Sequence, residues 1–179
     1  LVFLMGGNTP ANATRYFHVY FDPAGGFTPA AVAAQVAITD DVFHEEQASF
    51  EIATPAGTYF YHKVGAGFAS LDDVDGNDWI GYHPGLGSAG EFRGIPNMGA
   101  VGHPGDLTSS STIVSQGPLK ATIQSQSLDG NWRFMWEFYP NYATMTMQQA
   151  GGSYWLLYEG TPGGTFEPAS DSWTRSSGE

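Results

Sequence analysis

The polar groups best suited to acid–base chemistry lie in a glycine- and proline-rich stretch, 83–106, which includes His83, Arg93, Asn97 and His103. Histidine takes up and releases a proton near neutral pH, and Arg with Asn can hold a carboxylate by paired donors. If the protein is an enzyme, this combination favours β-elimination on a uronate sugar, with His83 or His103 as the base and Arg93 and Asn97 neutralising the carboxylate. A surface loop whose His-Pro pairs form turns is the alternative interpretation.

Three aromatic runs, at 15–21, 58–63 and 131–139, predict a ligand-binding surface. Successive side chains of a strand point to opposite faces, so each run has an apolar face and a face of aromatic and polar groups. Such groups stack on sugar rings and hydrogen-bond their hydroxyls. The residues assigned to this platform are Tyr16, His18, Tyr20, Tyr59, Tyr61, Arg133, Glu137 and Tyr139. A second sheet interface lined by the tyrosines is the alternative.

The acidic turn 72–78 is the candidate metal site, because Asp73, Asp75, Asn77 and Asp78 offer oxygen ligands for a hard cation such as calcium. The spacing differs from that of an EF-hand loop. A hairpin turn built on Asp-Gly explains the same residues without metal. If calcium binds here, a chelator should lower the melting temperature and excess calcium should raise it; no shift would favour the plain turn.

The composition excludes several classes of function. The net charge is −12 with six Lys and Arg, so the basic surface of a nucleic-acid binder is missing, and anionic membranes are disfavoured partners. The absence of cysteine excludes disulfides and thiol catalysis. No apolar run reaches the roughly 20 residues of a membrane span, so no membrane insertion is expected. Charged residues make up 13% of the chain, which is low and favours a secreted or cell-surface β-protein.

Glycine and proline divide the chain at intervals typical of short strands. An Asp129-Gly130 pair predicts a type I′ turn between two of them. We predict an all-β fold, an antiparallel β-sandwich of jelly-roll-like or related type, forming one domain over 1–179 with a long Gly/Pro-rich loop. The predicted strands are 1–5, 15–21, 35–39, 48–53, 58–64, 67–71, 78–82, 112–116, 119–127, 131–139, 142–149 and 153–159. The segment 29–36 has helix-favouring composition but is short for a helix.

Side-chain alternation within these strands predicts the core. The residues placed on the buried face are Trp132, Phe134, Trp136, Phe138, Phe17, Val19, Phe21, Leu119 and Ile123.

Several phrases of the sequence resemble a known group of proteins. They include Arg93-Gly94-Ile95-Pro96-Asn97, His103-Pro104-Gly105 and the run 154–164. Together they are similar to uncharacterised secreted bacterial β-sandwich proteins found among polysaccharide-degradation genes. The resemblance implies secretion and a longer or processed chain; it carries no established activity and therefore no catalytic residue.

The leading hypothesis is an extracellular β-sandwich that recognises a polysaccharide or oligosaccharide, as a binding module or as part of a degrading enzyme. This hypothesis requires no cofactor; calcium at the acidic turn is a separate candidate. The alternative is a structural module of a surface layer or fibre that self-associates through strand edges or joins the rest of a longer chain.

Overall fold

The computed structural model describes residues 2, 3, 5–21, 23–26, 28, 31–80, 82, 84, 96, 98, 107–154, 156 and 169. Within these residues the chain forms eight β-strands and no helix, which confirms the all-β prediction. The described ranges accordingly hold no helix long and apolar enough to cross a membrane. The strands are β1 (Ala37–His44), β2 (Gln47–Thr54), β3 (Gly57–His62), β4 (Gly67–Asp73), β5 (Ser109–Gly117), β6 (Lys120–Ser127), β7 (Arg133–Tyr139) and β8 (Tyr142–Gln149).

The first sheet contains β1 to β4 in chain order, and all its strands are antiparallel. Its first turn is Glu45-Glu46, whose φ angles of 45° and 64° are both positive, as in a type I′ hairpin turn. At the start of β3, Gly57 has a φ of 156°, and a Cβ there would collide with the backbone oxygen of Asp72 on β4. Glycine therefore permits the close approach of β3 and β4 at this end.

The second sheet contains β5 to β8, again antiparallel and in chain order. The predicted two-residue turn at Asp129-Gly130 is wrong, since β6 ends at Ser127 and β7 begins at Arg133. Within this loop only Gly130 has a positive φ, of 75°. The Asp129 carboxylate accepts hydrogen bonds from the Ser127 hydroxyl at 2.5 Å and the Asn131 amide at 3.0 Å, and these bonds stabilise the wider turn.

The two sheets pack face to face through aromatic side chains, which makes the described fold a β-sandwich. The ring of Phe68 on β4 lies 4.8 Å from that of Trp136 and 5.9 Å from that of Phe138, both on β7. Tyr59 on β3 meets Phe138 edge-on at 5.3 Å. Such tilted and edge-to-face contacts are the favoured geometries of packed aromatic rings.

A hydroxyl network also joins the sheets inside this core. The Tyr61 hydroxyl on β3 lies 2.6 Å from Ser125 Oγ on β6, which is 2.7 Å from Ser111 Oγ on β5. Burial raises the pKa of Tyr61, so its phenol stays neutral. Each of the three buried hydroxyls has a partner, as buried polar groups require.

Most of the predicted core is confirmed. The buried members of the predicted set are Leu119, Ile123, Trp132, Phe134, Trp136 and Phe138. The prediction is wrong for Phe17, Val19 and Phe21, which are 47%, 59% and 85% exposed. Their segment is not a strand and joins neither sheet, so it has no inner face to bury.

The predicted strands are confirmed where the segment pairs with another strand of the described sheets. Each of the eight observed strands overlaps a predicted one, seven with shifted bounds and 142–149 without a shift. Residues 2, 3, 5, 15–21, 153, 154 and 156 are not in strands, although strands were predicted there. Of the described residues 78–80 and 82, only Asp78 takes part in pairing, in an isolated bridge to Asp72. Residues 31–36 form no helix.

Candidate functional site

The predicted catalytic residues His83, Arg93, Asn97 and His103 lie outside the described residues, as does most of the Gly/Pro-rich loop. The uronate-elimination chemistry assigned to them stays a prediction.

The three sets of predicted ligand-binding residues lie in three different environments. Tyr16, His18 and Tyr20 belong to the segment outside the sheets, where Tyr16 and Tyr20 are 82% and 88% exposed. Tyr59 and Tyr61 point into the core, while Arg133, Glu137 and Tyr139 lie on the outer side of β7. The structure therefore does not join the three sets into one platform.

Strand pairing explains why β3 turns its tyrosines inward. Tyr61 pairs with Phe50 and Tyr59 with Ile52, and directly paired residues share a face. Because Phe50 and Ile52 are fully buried, the tyrosines enter the core and Phe60 points outward. Period-two alternation alone could not decide this, since aromatic residues occupy both faces of the run.

The outer face of the second sheet is the candidate binding surface. It brings together side chains of β6, β7 and β8 that cross-strand pairing places on one side. These are Lys120, Thr122, Gln124, Gln126, Arg133, Met135, Glu137, Tyr139, Tyr142, Thr144, Thr146 and Gln148. The three predicted ligand-binding residues of β7 all belong to it.

A stacked pair of tyrosines occupies one end of this face. Tyr139 and Tyr142 face each other across the β7–β8 turn with ring centroids 4.8 Å apart and planes 22° from parallel. Lys120 Nζ lies 5.5 Å from the centre of the Tyr139 ring and forms an ion pair with Glu137. The hydrogen bond to Glu137 raises the pKa of Lys120, which holds this ammonium in its charged form.

Apart from Arg133 and Met135, the rest of the face is made of amides and hydroxyls, of which Thr122 is buried. Gln124 Nε2 donates to Gln148 Oε1 at 2.9 Å, and Arg133 Nε donates to Gln126 Oε1 at 3.3 Å. Thr144, Thr146 and Gln148 on β8 are exposed. The face therefore offers both donors and acceptors to a ligand, and its lysine is already paired with a carboxylate.

The outer face of the first sheet holds a different, buried polar cluster that the sequence did not reveal. His44 Nε2 lies 2.7 Å from Ser70 Oγ, although the residues are 26 apart in the chain. The His44 ring stacks on Phe60 with centroids 3.9 Å apart. His62 Nε2 makes a 3.0 Å hydrogen bond with the His44 carbonyl oxygen, and the Tyr82 ring meets the His62 ring edge-on. No local pattern connects these residues, since they come from β1, β3, β4 and the segment after β4.

Burial determines the charge state of this cluster. It lowers the pKa of His44, and it lowers the pKa of His62 to about 4, so both imidazoles are neutral at neutral pH. A neutral His44 can accept the Ser70 proton, the geometry of a nucleophile and its base. Ser70, however, is only 3% exposed, so its hydroxyl is shielded from a ligand and its bond to the partly buried His44 serves as a satisfied structural contact.

The predicted metal ligands form a hydrogen-bonded turn. Asp73 accepts hydrogen bonds from the Asn77 side-chain amide, the Trp79 indole and the backbone amides of Asn77 and Asp75, and these bonds hold its pKa far below the ordinary value. Asp78 Oδ1 accepts from two further backbone amides. Among the described residues no group of three or more metal-binding side chains comes together. Calcium at this turn stays a prediction.

A shallow groove of about 410 Å³ lies where the start of β1 meets the β5–β6 turn. It is lined mainly by small or apolar residues, among them Val36, Ile38 and Pro118, and none of its lining residues is charged. The groove offers an apolar surface and few polar groups to orient a ligand.

Comparison with known proteins gives no further guide to the site. No family model, no curated protein and no solved structure matches this chain.

Proposed function

We propose that this protein is an extracellular carbohydrate-binding β-sandwich whose ligand is a neutral polysaccharide or oligosaccharide held on the outer face of the second sheet. The observation that carries this proposal is the stacked Tyr139–Tyr142 pair at the end of a face of threonines and glutamines. Aromatic rings contact the apolar side of a sugar, and amide and hydroxyl groups hydrogen-bond its hydroxyls.

The electrostatics favour a neutral glycan over an anionic one. The net charge is −12, so a polyanion approaches against an unfavourable long-range field. On the face itself, Lys120 is neutralised by Glu137, which leaves Arg133 as its other cation. A neutral glycan experiences no such electrostatic repulsion.

The dimensions of the face also suit an extended ligand. An eight-residue strand such as β8 spans about 26 Å, and neighbouring strands lie about 4.8 Å apart. A surface of this kind contacts several consecutive sugar units along a chain.

Cleavage of a uronate by the residues of the Gly/Pro-rich loop is a separate proposal. An assay for unsaturated uronate products on polyuronates checks it.

Binding of neutral and anionic glycans on an array, followed by calorimetry, tests the proposal. Tyr142→Ala should weaken the binding of a neutral glycan about fivefold, because a well-placed aromatic contact contributes about 1 kcal/mol and every 1.4 kcal/mol is a factor of ten. Tyr142 is 55% exposed, so the variant should fold normally. Phe43→Ala, which removes a 76% exposed aromatic from the first sheet, is the matched control and should bind like the wild type.

Two results would contradict this function. One is the absence of any neutral ligand on the array. The other is an unchanged dissociation constant for Tyr142→Ala in a protein that is folded by circular dichroism.

A further inference from the structure

The aromatic segment 15–21 has the pattern of a β-strand but no partner strand within the part of the chain that the structure describes. As a strand, this sequence would place Phe17, Val19 and Phe21 on one face and Tyr16, His18 and Tyr20 on the other, yet the segment adopts no regular secondary structure. Phe17, Val19 and Phe21 are 47%, 59% and 85% exposed, which leaves a continuous apolar stretch in water. A cluster of large apolar side chains of this kind on a protein surface is typical of an interaction site.

The contacts of this segment are with its own neighbours. Arg15 donates hydrogen bonds to Thr9 Oγ1 at 2.8 Å and to the Gly6 carbonyl oxygen at 2.7 Å, and it lies over the Phe17 ring at 5.2 Å. The Phe17 ring in turn lies 6.1 Å from that of Phe3. These contacts hold the loop that precedes the segment and leave Val19, Tyr20 and Phe21 exposed.

Strand β8 is an edge that lacks the usual protection against pairing. Among the described residues its neighbour is β7, and between Tyr142 and Met147 that pairing is regular. Natural edges carry charges, prolines or central bulges. The sequence of β8, Tyr-Ala-Thr-Met-Thr-Met-Gln-Gln, has no charge and no proline, and its irregularity is confined to the end near Gln148.

The other edges are protected. β1 is interrupted by a bulge at Asp40 and Asp41, whose carboxylates bind Lys63. On β4, the Leu71 carbonyl oxygen already accepts the Trp79 amide at 2.9 Å. β5 has a bulge in its middle, between Ile113 and Ser115. These features make β8 the edge best able to accept a strand.

The apolar side of β8 is incompletely covered. Met145 and Met147 pack against the core but stay partly exposed, because the sheet ends at this strand. An added strand whose inner residues were Phe17, Val19 and Phe21 would cover both methionines and bury its own exposed rings, and removal of apolar surface from water drives association.

We propose that segment 15–21 of one molecule adds as a strand to the β8 edge of a second copy of this chain. Main-chain hydrogen bonds supply the affinity and the alternating side chains set the face, as in other cases of strand addition. Charge permits the contact, because the segment carries Arg15 and no acid and β8 carries no charge, so pairing of the two strands brings no like charges together. The inference is independent of glycan binding, although it would place His18 beside the outer face of the second sheet.

Cysteine cross-linking tests this contact directly, since the natural chain contains no cysteine. His18→Cys protein is mixed with an equal amount of Thr146→Cys protein that carries a mass tag, and the mixture is oxidised gently. The two positions are central in their strands and share a face, so the pairing brings their Cα atoms within the roughly 7 Å that a disulfide requires. The matched control replaces Thr146→Cys with Val114→Cys, on the bulged β5 edge and 55% exposed.

The proposal predicts several-fold more tagged heterodimer with Thr146→Cys than with Val114→Cys. It also predicts that the wild type self-associates in sedimentation experiments and that Val19→Pro becomes monomeric, because proline removes a strand donor. An unchanged melting temperature measured on dilute, monomeric protein would show that Val19→Pro still folds, since the segment lies outside both sheets. Equal cross-linking in both mixtures, a monomeric wild type at all concentrations, or closure of the disulfide within single His18→Cys/Thr146→Cys molecules would each overturn it.

Discussion

His62 shows how burial determines the charge of one side chain and through it the pH dependence of stability. Its side chain is fully buried against Tyr82 and the His44 backbone, and its pKa falls from 6.5 to about 4. Its Nδ1 atom has no hydrogen-bond partner among the described residues. A protonated imidazole at this position would therefore be a poorly compensated buried charge.

The lowered pKa of His62 predicts a loss of stability in mild acid. The unfolded chain takes up the proton below about pH 6.5 and the folded chain only below about pH 4, so the unfolded state binds more protons between these values. The free energy of unfolding should be constant above about pH 6.5, fall as the pH drops to about 4, and lose up to about 3 kcal/mol. Urea titrations at several pH values across this range measure the free energy of unfolding. His62→Gln should flatten the curve; an unchanged slope would assign the effect to other groups.

At the scale of single elements, the β1–β2 hairpin carries strain in its turn. Glu45 and Glu46 both adopt positive φ, a conformation that asparagine and glycine tolerate better than glutamate. The turn lies next to His44, which must reach across the sheet to Ser70 and Phe60. The contacts of His44 and the pairing of β1 with β2 hold the turn in this conformation.

Relief of this strain should stabilise the protein. Glu46→Gly is expected to raise the free energy of unfolding by about 1 kcal/mol, because glycine adopts a φ of 64° without a Cβ clash. The matched control Glu51→Gly, the same exchange within β2, should lower it by roughly 0.5–1 kcal/mol. Chemical denaturation of both variants measures the difference, and a destabilised Glu46→Gly would show that the glutamate side chain contributes more than the turn strain costs.

For the whole molecule, the excess of negative charge opposes compactness. The chain has eighteen acidic and six basic residues, so folding brings like charges closer together and is opposed by a long-range repulsion. The ion pairs of Lys63 with Asp40 and Asp41 and of Lys120 with Glu137 offset it only locally, and exposed pairs contribute little.

Screening of this repulsion should raise the melting temperature. From about 0.01 M to about 0.15 M sodium chloride the screening length shortens from about 30 Å to about 8 Å. We expect an upward shift of a few degrees by differential scanning calorimetry, with potassium chloride giving the same shift at equal ionic strength. A melting temperature that falls with salt would mean that the local ion pairs outweigh the overall repulsion.

The sequence by itself determined the fold class and much of the core. Alternation in Trp132–Phe138 and in β6 identified the buried faces of two strands, because both faces of each differ strongly in polarity. Composition indicated a β-protein with few charges, and the outer residues of β7 were assigned to the surface where they lie.

Only the tertiary structure decided which way ambiguous strands face and which segments find a partner. β3 has aromatic residues on both sides, and its pairing with Phe50 and Ile52 turned Tyr59 and Tyr61 inward. The segment 15–21 has a strand pattern but pairs with no strand among the described residues, so it lies outside the two sheets. Periodicity is a local property, whereas the burial of a face and the His44–Ser70 contact arise from pairing between residues far apart in sequence.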